Sequence, residues 1–70
     1  MPNISNQVRR LRFEHGEMTQ QKLAELTGVT RQTIIAIEGG KYSPSLELAF
    51  RLARAFQAGV EDVFRWNETP

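Results

Sequence analysis

Two eight-residue segments joined by a tight turn constrain this chain more than any other feature of its sequence. Thr19 stands before QQKLAELT and Thr30 stands before RQTIIAIE. A threonine hydroxyl in this position accepts a hydrogen bond from a free N–H group of the first helical turn. Gly28 ends the first segment, and Gly39 or Gly40 ends the second. The sequence therefore predicts two short helices with a turn at residues 28–29.

Three further helices are predicted around this pair. Apolar residues spaced by four and by three define one face of a first helix: Ile4, Val8 and Leu11. Ser5 or Asn6 caps that helix, and Gly16 ends it. After Pro44, Ser45 can cap a helix over LELAFRLARAF, which carries a broad apolar stripe: Leu48, Ala49, Leu52, Ala53 and Phe56. A last turn of helix is predicted at Glu61–Phe64, followed by a frayed tail, WNETP.

The composition is that of an ordinary globular domain. Seventy residues, 24% of them charged and 40% hydrophobic, predict one domain over residues 1–70, with its core at residues 4–64 and a C-terminal tail at 65–70. No segment alternates apolar and polar residues as a strand would, so the predicted fold class is all-α, a compact five-helix bundle. There is no bilayer-spanning apolar run and no signal peptide, so we expect a cytoplasmic protein that does not contact membranes.

Catalytic and metal-binding residue sets are missing from the sequence. The chain has no cysteine, and His15 has no second histidine with which to share a metal ion. Gly39-Gly40-Lys41 has the letters of a phosphate loop, but such glycines follow a strand and here they follow a helix, which favours helix termination. We expect no enzymatic activity, no metal and no cofactor.

The third predicted helix has an unusual outward face. At 100° per residue, Ile34 and Ile37 point inward, whereas the opposite side carries Arg31, Gln32, Ile35 and Ala36. This face fits either a core helix with an undistinguished exterior or a helix that reads DNA. In the major groove Arg donates twice to guanine, Gln pairs with adenine, and apolar groups meet the thymine methyl. The net charge of +1 makes no strong case for nucleic acid by itself, although basic residues outnumber acidic ones before residue 42.

The second helix supports DNA binding. Gln20 and Gln21 open it directly after the Thr19 cap, where free N–H groups and the positive helix end favour a phosphate. Together the two helices have the outline of a helix-turn-helix.

The sequence resembles the Cro/C1-type helix-turn-helix family, also called the XRE family. The matching residues are Leu11-Arg12, Gly16, the run TQQKLAELTGVTRQTIIAIEGGKYSPSLELA from Thr19 to Ala49, and VEDVF near the end. The resemblance covers residues 4–64 and implies a lambda-repressor-like fold in a small stand-alone transcriptional regulator. It also implies sequence-specific binding of double-stranded DNA by a homodimer on two-fold related half-sites, most often as a repressor.

The resemblance implies roles for individual residues. It places Thr30, Arg31, Gln32, Ile35 and Ala36 at the base edges. It places Gln20, Gln21, Thr33, Lys41, Tyr42 and Ser43 at the sugar-phosphate backbone. Arg12 and Glu38 match a structural pair that links the first helix to the end of the third.

Three positions depart from the family pattern. Glu17-Met18 is one residue longer than the usual connection, which raises the question of whether the start of the second helix is displaced. Gln57 stands where many members have Gly, so either it adopts an unfavourable backbone conformation or the helix ends differently. Ile35 replaces a small or polar residue and contacts either a thymine methyl or a partner.

Aromatic residues near the C-terminus suggest an interface, and the candidates for a dimer contact are Phe50, Phe64 and Trp66. Phe64 is also expected in the small core, and the alternative for Trp66 is a cover over the end of the core. An alternative function is a protein-interaction module, such as an antitoxin or controller subunit, whose partner contacts Phe50, Ile35 or Trp66.

Overall fold

The computed structural model describes residues 3–68. Its elements in chain order are β1 (Ile4–Asn6), α1 (Val8–Glu14), α2 (Gln20–Thr27), α3 (Arg31–Glu38), α4 (Leu46–Ala55), α5 (Val60–Val63) and β2 (Phe64–Trp66). The predicted class, a bundle of five helices, is confirmed. None of the helices within residues 3–68 is long and apolar enough to cross a bilayer. Thr69 and Pro70, the end of the predicted tail, lie outside the described residues.

Hydroxyl side chains cap three of the helices as the sequence predicts. The Thr19 hydroxyl accepts a hydrogen bond from the Lys22 N–H at 2.9 Å, and Thr30 accepts one from the Thr33 N–H at 3.2 Å. Ser45 does the same for α4. α2 begins at Gln20, directly after the Thr19 cap, although the connection before it has one additional residue. The loop absorbs that residue, with Glu17 at a φ of 55°.

A residue in the left-handed backbone conformation follows both α3 and α4 and ends each helix in the same way. After α3, Gly40 has a φ of 73°, and the Lys41 N–H turns back to donate to the Ala36 carbonyl at 2.9 Å. After α4, Gln57 has a φ of 54°, and the next N–H, that of Ala58, donates to the α4 backbone at 2.9 Å. Gln57 therefore adopts a conformation that suits glycine far better.

A two-stranded antiparallel sheet joins the ends of the described chain and corrects four predictions. Ile4 pairs with Trp66, and Asn6 pairs with Phe64. Ile4 is therefore not part of the first helix, which begins only at Val8, and the N-cap of that helix is Gln7, not Ser5 or Asn6. The last helix spans Val60–Val63, so Phe64 belongs to β2, and the predicted frayed tail is ordered as far as Trp66. Strands of three residues are too short to show a period of two, and their pairing depends on residues about 60 positions apart.

The core lies where the helices converge. Its fully buried members come from every helix: Val8, Leu23, Ile34, Ile37, Leu52 and Val63. The predicted stripe of α4 is confirmed, since Leu48, Ala49, Leu52, Ala53 and Phe56 are all buried. Phe64 packs against this core and is half-buried.

Candidate nucleic-acid interface

The outward face of α3 is the centre of the candidate interface. Ile34 and Ile37 anchor the inner side of α3 and have no exposed surface. Arg31 and Gln32 are exposed at its first turn, and Ile35 keeps 42% of its surface accessible. Thr33 and Ala36 are half-buried beside them. The apolar spacing alone therefore predicted correctly which side of α3 faces outward.

A buried ion pair fixes α3 against the rest of the bundle. Arg12 of α1 donates from Nε to Glu38 Oε2 at 2.6 Å and from Nη2 to Oε1 at 3.1 Å. The third nitrogen, Nη1, donates to the Met18 carbonyl at 2.8 Å. Gln20 Nε2 donates to the same Glu38 carboxylate at 3.2 Å. This arrangement ties α1, α2 and the end of α3 together and removes the acidic charge of Glu38 from the outer surface.

The first turn of α2 offers free donors beside α3. Gln20 is half-buried, whereas Gln21 is exposed and donates to Glu25 at 3.3 Å. Within residues 3–68, the backbone N–H groups of Gln20 and Gln21 donate to no acceptor, because the Thr19 cap satisfies only the N–H of Lys22. Free N–H groups at the positive end of a helix suit a phosphate oxygen.

The loop after α3 adds a second polar segment. Lys41, Tyr42 and Ser43 are all exposed. Neither Lys41 nor Arg31 forms an ion pair with any of residues 3–68, so both charges face solvent. Thr30 differs from these residues, because its hydroxyl is occupied by the cap and by Thr33 Oγ1 at 3.0 Å.

Arg9 and Phe13 of α1 belong to the same surface, although the sequence predicts no role for either. Arg9 and Phe13 line one open groove together with Thr19, Gln21 and Arg31. The signal was present in the sequence, since positions 9, 12 and 13 share one helix face. Arg12 lies on this face and was expected to pair with Glu38 of α3, so this is the face of α1 that turns toward α3.

The three aromatic dimer candidates do not lie together. Phe64 and Trp66 line one concave surface with Ile4, and Phe64 also borders an apolar groove with Leu46. Phe50 instead lines a separate groove with Leu26 between α2 and α4. Trp66 is 63% exposed, so it does not serve as a cover over the core.

Two exposed arginines outside the groove of Arg9 and Arg31 form ion pairs within their own helices. Arg10 pairs with Glu14, and Arg51 pairs with Glu47, one helical turn away in each case.

Within the part of the chain that the structure describes, no group of three or more His, Cys, Asp or Glu side chains could hold a metal ion. His15 Nδ1 lies 2.8 Å from the Leu11 carbonyl at the end of α1.

The geometry of α2 and α3 defines a class of protein. Two eight-residue helices, a turn at Gly28 and Val29, and an anchored second helix with a polar outer face form a helix-turn-helix. Comparison with known families agrees, because the family described as Helix-turn-helix matches residues 9–63. The chain belongs to this family, and the Cro/C1-type resemblance is confirmed.

Characterised and uncharacterised relatives share most of the chain. An uncharacterised HTH-type transcriptional regulator of Methanothermobacter thermautotrophicus is 56% identical over 62 residues, which cover 87% of this chain and 88% of the relative. The cryptic phage CTXphi transcriptional repressor RstR of Vibrio cholerae is 32% identical over 94% of this chain and 59% of its own. The crystal structure of the restriction-modification controller protein C.AhdI from Aeromonas hydrophila superposes with a TM-score of 0.73 at 31% identity, over 79% of this chain and 82% of that one.

Proposed function

We propose that this protein binds duplex DNA as a homodimer, reads its operator with α3 in the major groove, and represses transcription. As a member of the helix-turn-helix family it is a DNA-binding transcriptional regulator, and the proposal concerns how it binds. The observation that carries it is the outer face of α3. Arg31, Gln32 and Ile35 are exposed there while Ile34 and Ile37 hold the opposite side rigidly in the core.

The dimensions of α3 suit the groove. Eight residues span about 12 Å at 1.5 Å per residue, which is about the width of the major groove of B-DNA. Arg31 and Gln32 stand at the N-terminal end of the helix, where recognition helices contact base edges. A guanidinium at that point can donate to guanine O6 and N7, and an amide can pair with adenine. Ile35 and Ala36 then offer methyl groups to thymine one turn further along.

Two flanking segments would hold α3 in register. The free N–H groups of Gln20 and Gln21 face one strand, and the exposed loop of Lys41, Tyr42 and Ser43 follows the other end of α3. Contacts of this kind to the phosphates supply affinity and orientation without sequence preference. Thr30 contributes through the cap that positions Thr33, because its own hydroxyl is already engaged.

The second protomer would pack on the apolar surface formed by Ile4, Leu46, Phe64 and Trp66. Leu46 is 73% exposed and Trp66 63% exposed, and this surface borders the residues Ser43 and Pro44 that end the loop after α3. A second copy placed there brings the two loops together at the centre of the operator with one α3 on each side. A dimer of this kind would bind half-sites about 34 Å apart or a multiple of that distance.

Repression is supported by the similarity to RstR, a transcriptional repressor. A dimer bound over one or two turns of DNA hinders other proteins from using the same site.

Neither Arg31 nor Lys41 is neutralised within residues 3–68, so the affinity for duplex DNA should fall as the salt concentration rises.

The decisive experiment selects binding sites from a random duplex library and then compares four variants on the selected site: Arg31→Ala, Gln32→Ala, Lys41→Ala and Arg54→Ala. Arg31→Ala should cost about 1–3 kcal/mol and relax preference at one base pair, because it removes a base contact. Lys41→Ala should weaken selected and scrambled duplexes alike and lower the salt slope by about one unit. Arg54→Ala is the matched control, since it removes the same charge from the separate groove of Phe50.

Two results would contradict this assignment. If Arg31→Ala and Gln32→Ala both leave the affinity and base preference unchanged, α3 is not the reading helix. If the wild-type protein selects no sequence and has no salt-dependent affinity for duplex DNA, a protein partner becomes the better hypothesis.

A further inference from the structure

The guanidinium group of Arg9 lies over the aromatic ring of Phe13, which contributes little to the hydrophobic core. The guanidinium carbon lies 5.5 Å from the centroid of the Phe13 ring, one helical turn away. The buried Arg12 guanidinium lies 5.6 Å from the same centroid. Phe13 is 51% exposed, so it contributes little to the core. The ring is positioned between a fixed arginine and an exposed one.

The groove beside this stack has the charge of a polyanion site. Arg9 and Phe13 line it from α1, Gln21 lines it from α2, and Arg31 lines it from α3. Within residues 3–68 neither Arg9 nor Arg31 forms an ion pair. The one carboxylate in the lining, Glu38, is already neutralised by Arg12. The groove therefore presents two uncompensated guanidinium groups on the face that carries α3.

The neighbouring arginine provides a sharp contrast. Arg10 donates to Gln7 at 3.0 Å and forms an ion pair with Glu14 at 2.9 Å. It does not line the groove that Arg9 shares with Arg31. Two adjacent residues of the same type thus have different environments: one is neutralised locally and the other is left free.

We propose that Arg9, oriented by the Phe13 ring, is a DNA-backbone contact that extends the interface from the helix-turn-helix onto α1. This inference rests on the proposed function, because its ligand is the phosphate backbone of the same duplex. A guanidinium donates two parallel hydrogen bonds to a phosphate, and stacking on a ring face limits the conformations that it must lose on binding. The contact carries no base preference and adds one phosphate to those bound by α2 and the loop.

The test uses the full chain and two duplexes, the selected site and a scrambled sequence of equal length, titrated at several salt concentrations. Arg9→Gln should lower the affinity for both duplexes by a similar factor, roughly tenfold at low salt, and reduce the salt slope by about one unit. Arg10→Gln, which makes the same change in formal charge, should change both quantities much less. Phe13→Leu alters no charge and should still weaken binding in the same direction as Arg9→Gln.

Thermal unfolding separates this role from a structural one. Because Phe13 and Arg9 are exposed, the three variants should unfold within a few degrees of the wild type. Equal effects of Arg9→Gln and Arg10→Gln on the salt slope would overturn the proposal, since Arg9 would then act only through net charge. That outcome leaves the role of α3 intact as long as Arg31→Ala still changes base preference. Absence of any duplex binding by the wild type would overturn both proposals.

Discussion

The substitution Glu38→Gln tests how far one buried carboxylate holds the recognition helix in place. The Arg12 and Glu38 side chains are only 9% and 10% exposed. Two hydrogen bonds join them, and Gln20 donates to the same carboxylate. Glutamine preserves the shape and one acceptor oxygen but leaves the Arg12 guanidinium buried without a counter-charge.

The expected cost is large compared with the stability of so small a protein. Removing one partner of a buried ion pair costs about 3–5 kcal/mol, and the retained amide oxygen places Glu38→Gln near the lower limit, at about 3 kcal/mol. A 70-residue chain is stable by about 4–10 kcal/mol in total. Since 1 kcal/mol shifts Tm by about 4–8 °C in a protein of this size, Tm should fall by about 12–24 °C.

Circular dichroism during thermal and urea unfolding measures this loss. Glu14→Gln is the matched control, because it makes the same chemical change in an exposed pair on α1 and should cost only about 0.3–0.5 kcal/mol. The double variant Arg12→Met/Glu38→Leu should be more stable than Glu38→Gln alone, because no charge is left buried. The reasoning is refuted if Glu38→Gln costs no more than Glu14→Gln, or if the double variant is the least stable of the three.

Two further substitutions test other features of the fold and assembly. Gln57→Gly should stabilise the protein by about 1 kcal/mol, because glycine adopts the left-handed conformation at little cost. A urea midpoint that stays constant or falls would contradict this. Leu46→Ser and Trp66→Ser should each weaken dimerisation by roughly 10- to 100-fold, as the loss of a buried apolar side chain implies, whereas Phe50→Ser should not. Light scattering over a dilution series measures the dimer, and equal effects at all three positions would refute the assigned surface.

Much of the candidate site could be predicted from local sequence. The caps at Thr19 and Thr30, and the inward positions of Ile34 and Ile37, follow from rules that act within one or two helical turns. They determine the bounds of α2 and α3 and therefore the face that carries Arg31. The resemblance added candidate roles for residues outside the helix, including Lys41 and its neighbours in the loop.

The groove around Arg9 could not be predicted in the same way. Helical spacing places Arg9 on the same face of α1 as Arg12 and Phe13. Whether the Arg9 guanidinium lies beside Arg31 without a counter-charge depends on how α1 packs against the other helices. The same limit applies to the aromatic residues, because the chain gives no local signal that Phe50 and Trp66 belong to different surfaces. Such distinctions arise from contacts between elements that are distant in the sequence.

The sequence by itself determined the presence of five helices, the N-caps of the second, third and fourth, and the polar face of the third, because hydrogen bonds and apolar spacing within a helix are local. Only the tertiary structure decided that Ile4 and Trp66 pair in a sheet, since a three-residue strand has no pattern of its own and is stable only against a partner. Tertiary packing also forced Gln57 into a conformation suited to glycine. The chain reverses there after α4, and the buried contacts of Phe56 on one side and Val63 on the other outweigh the local cost.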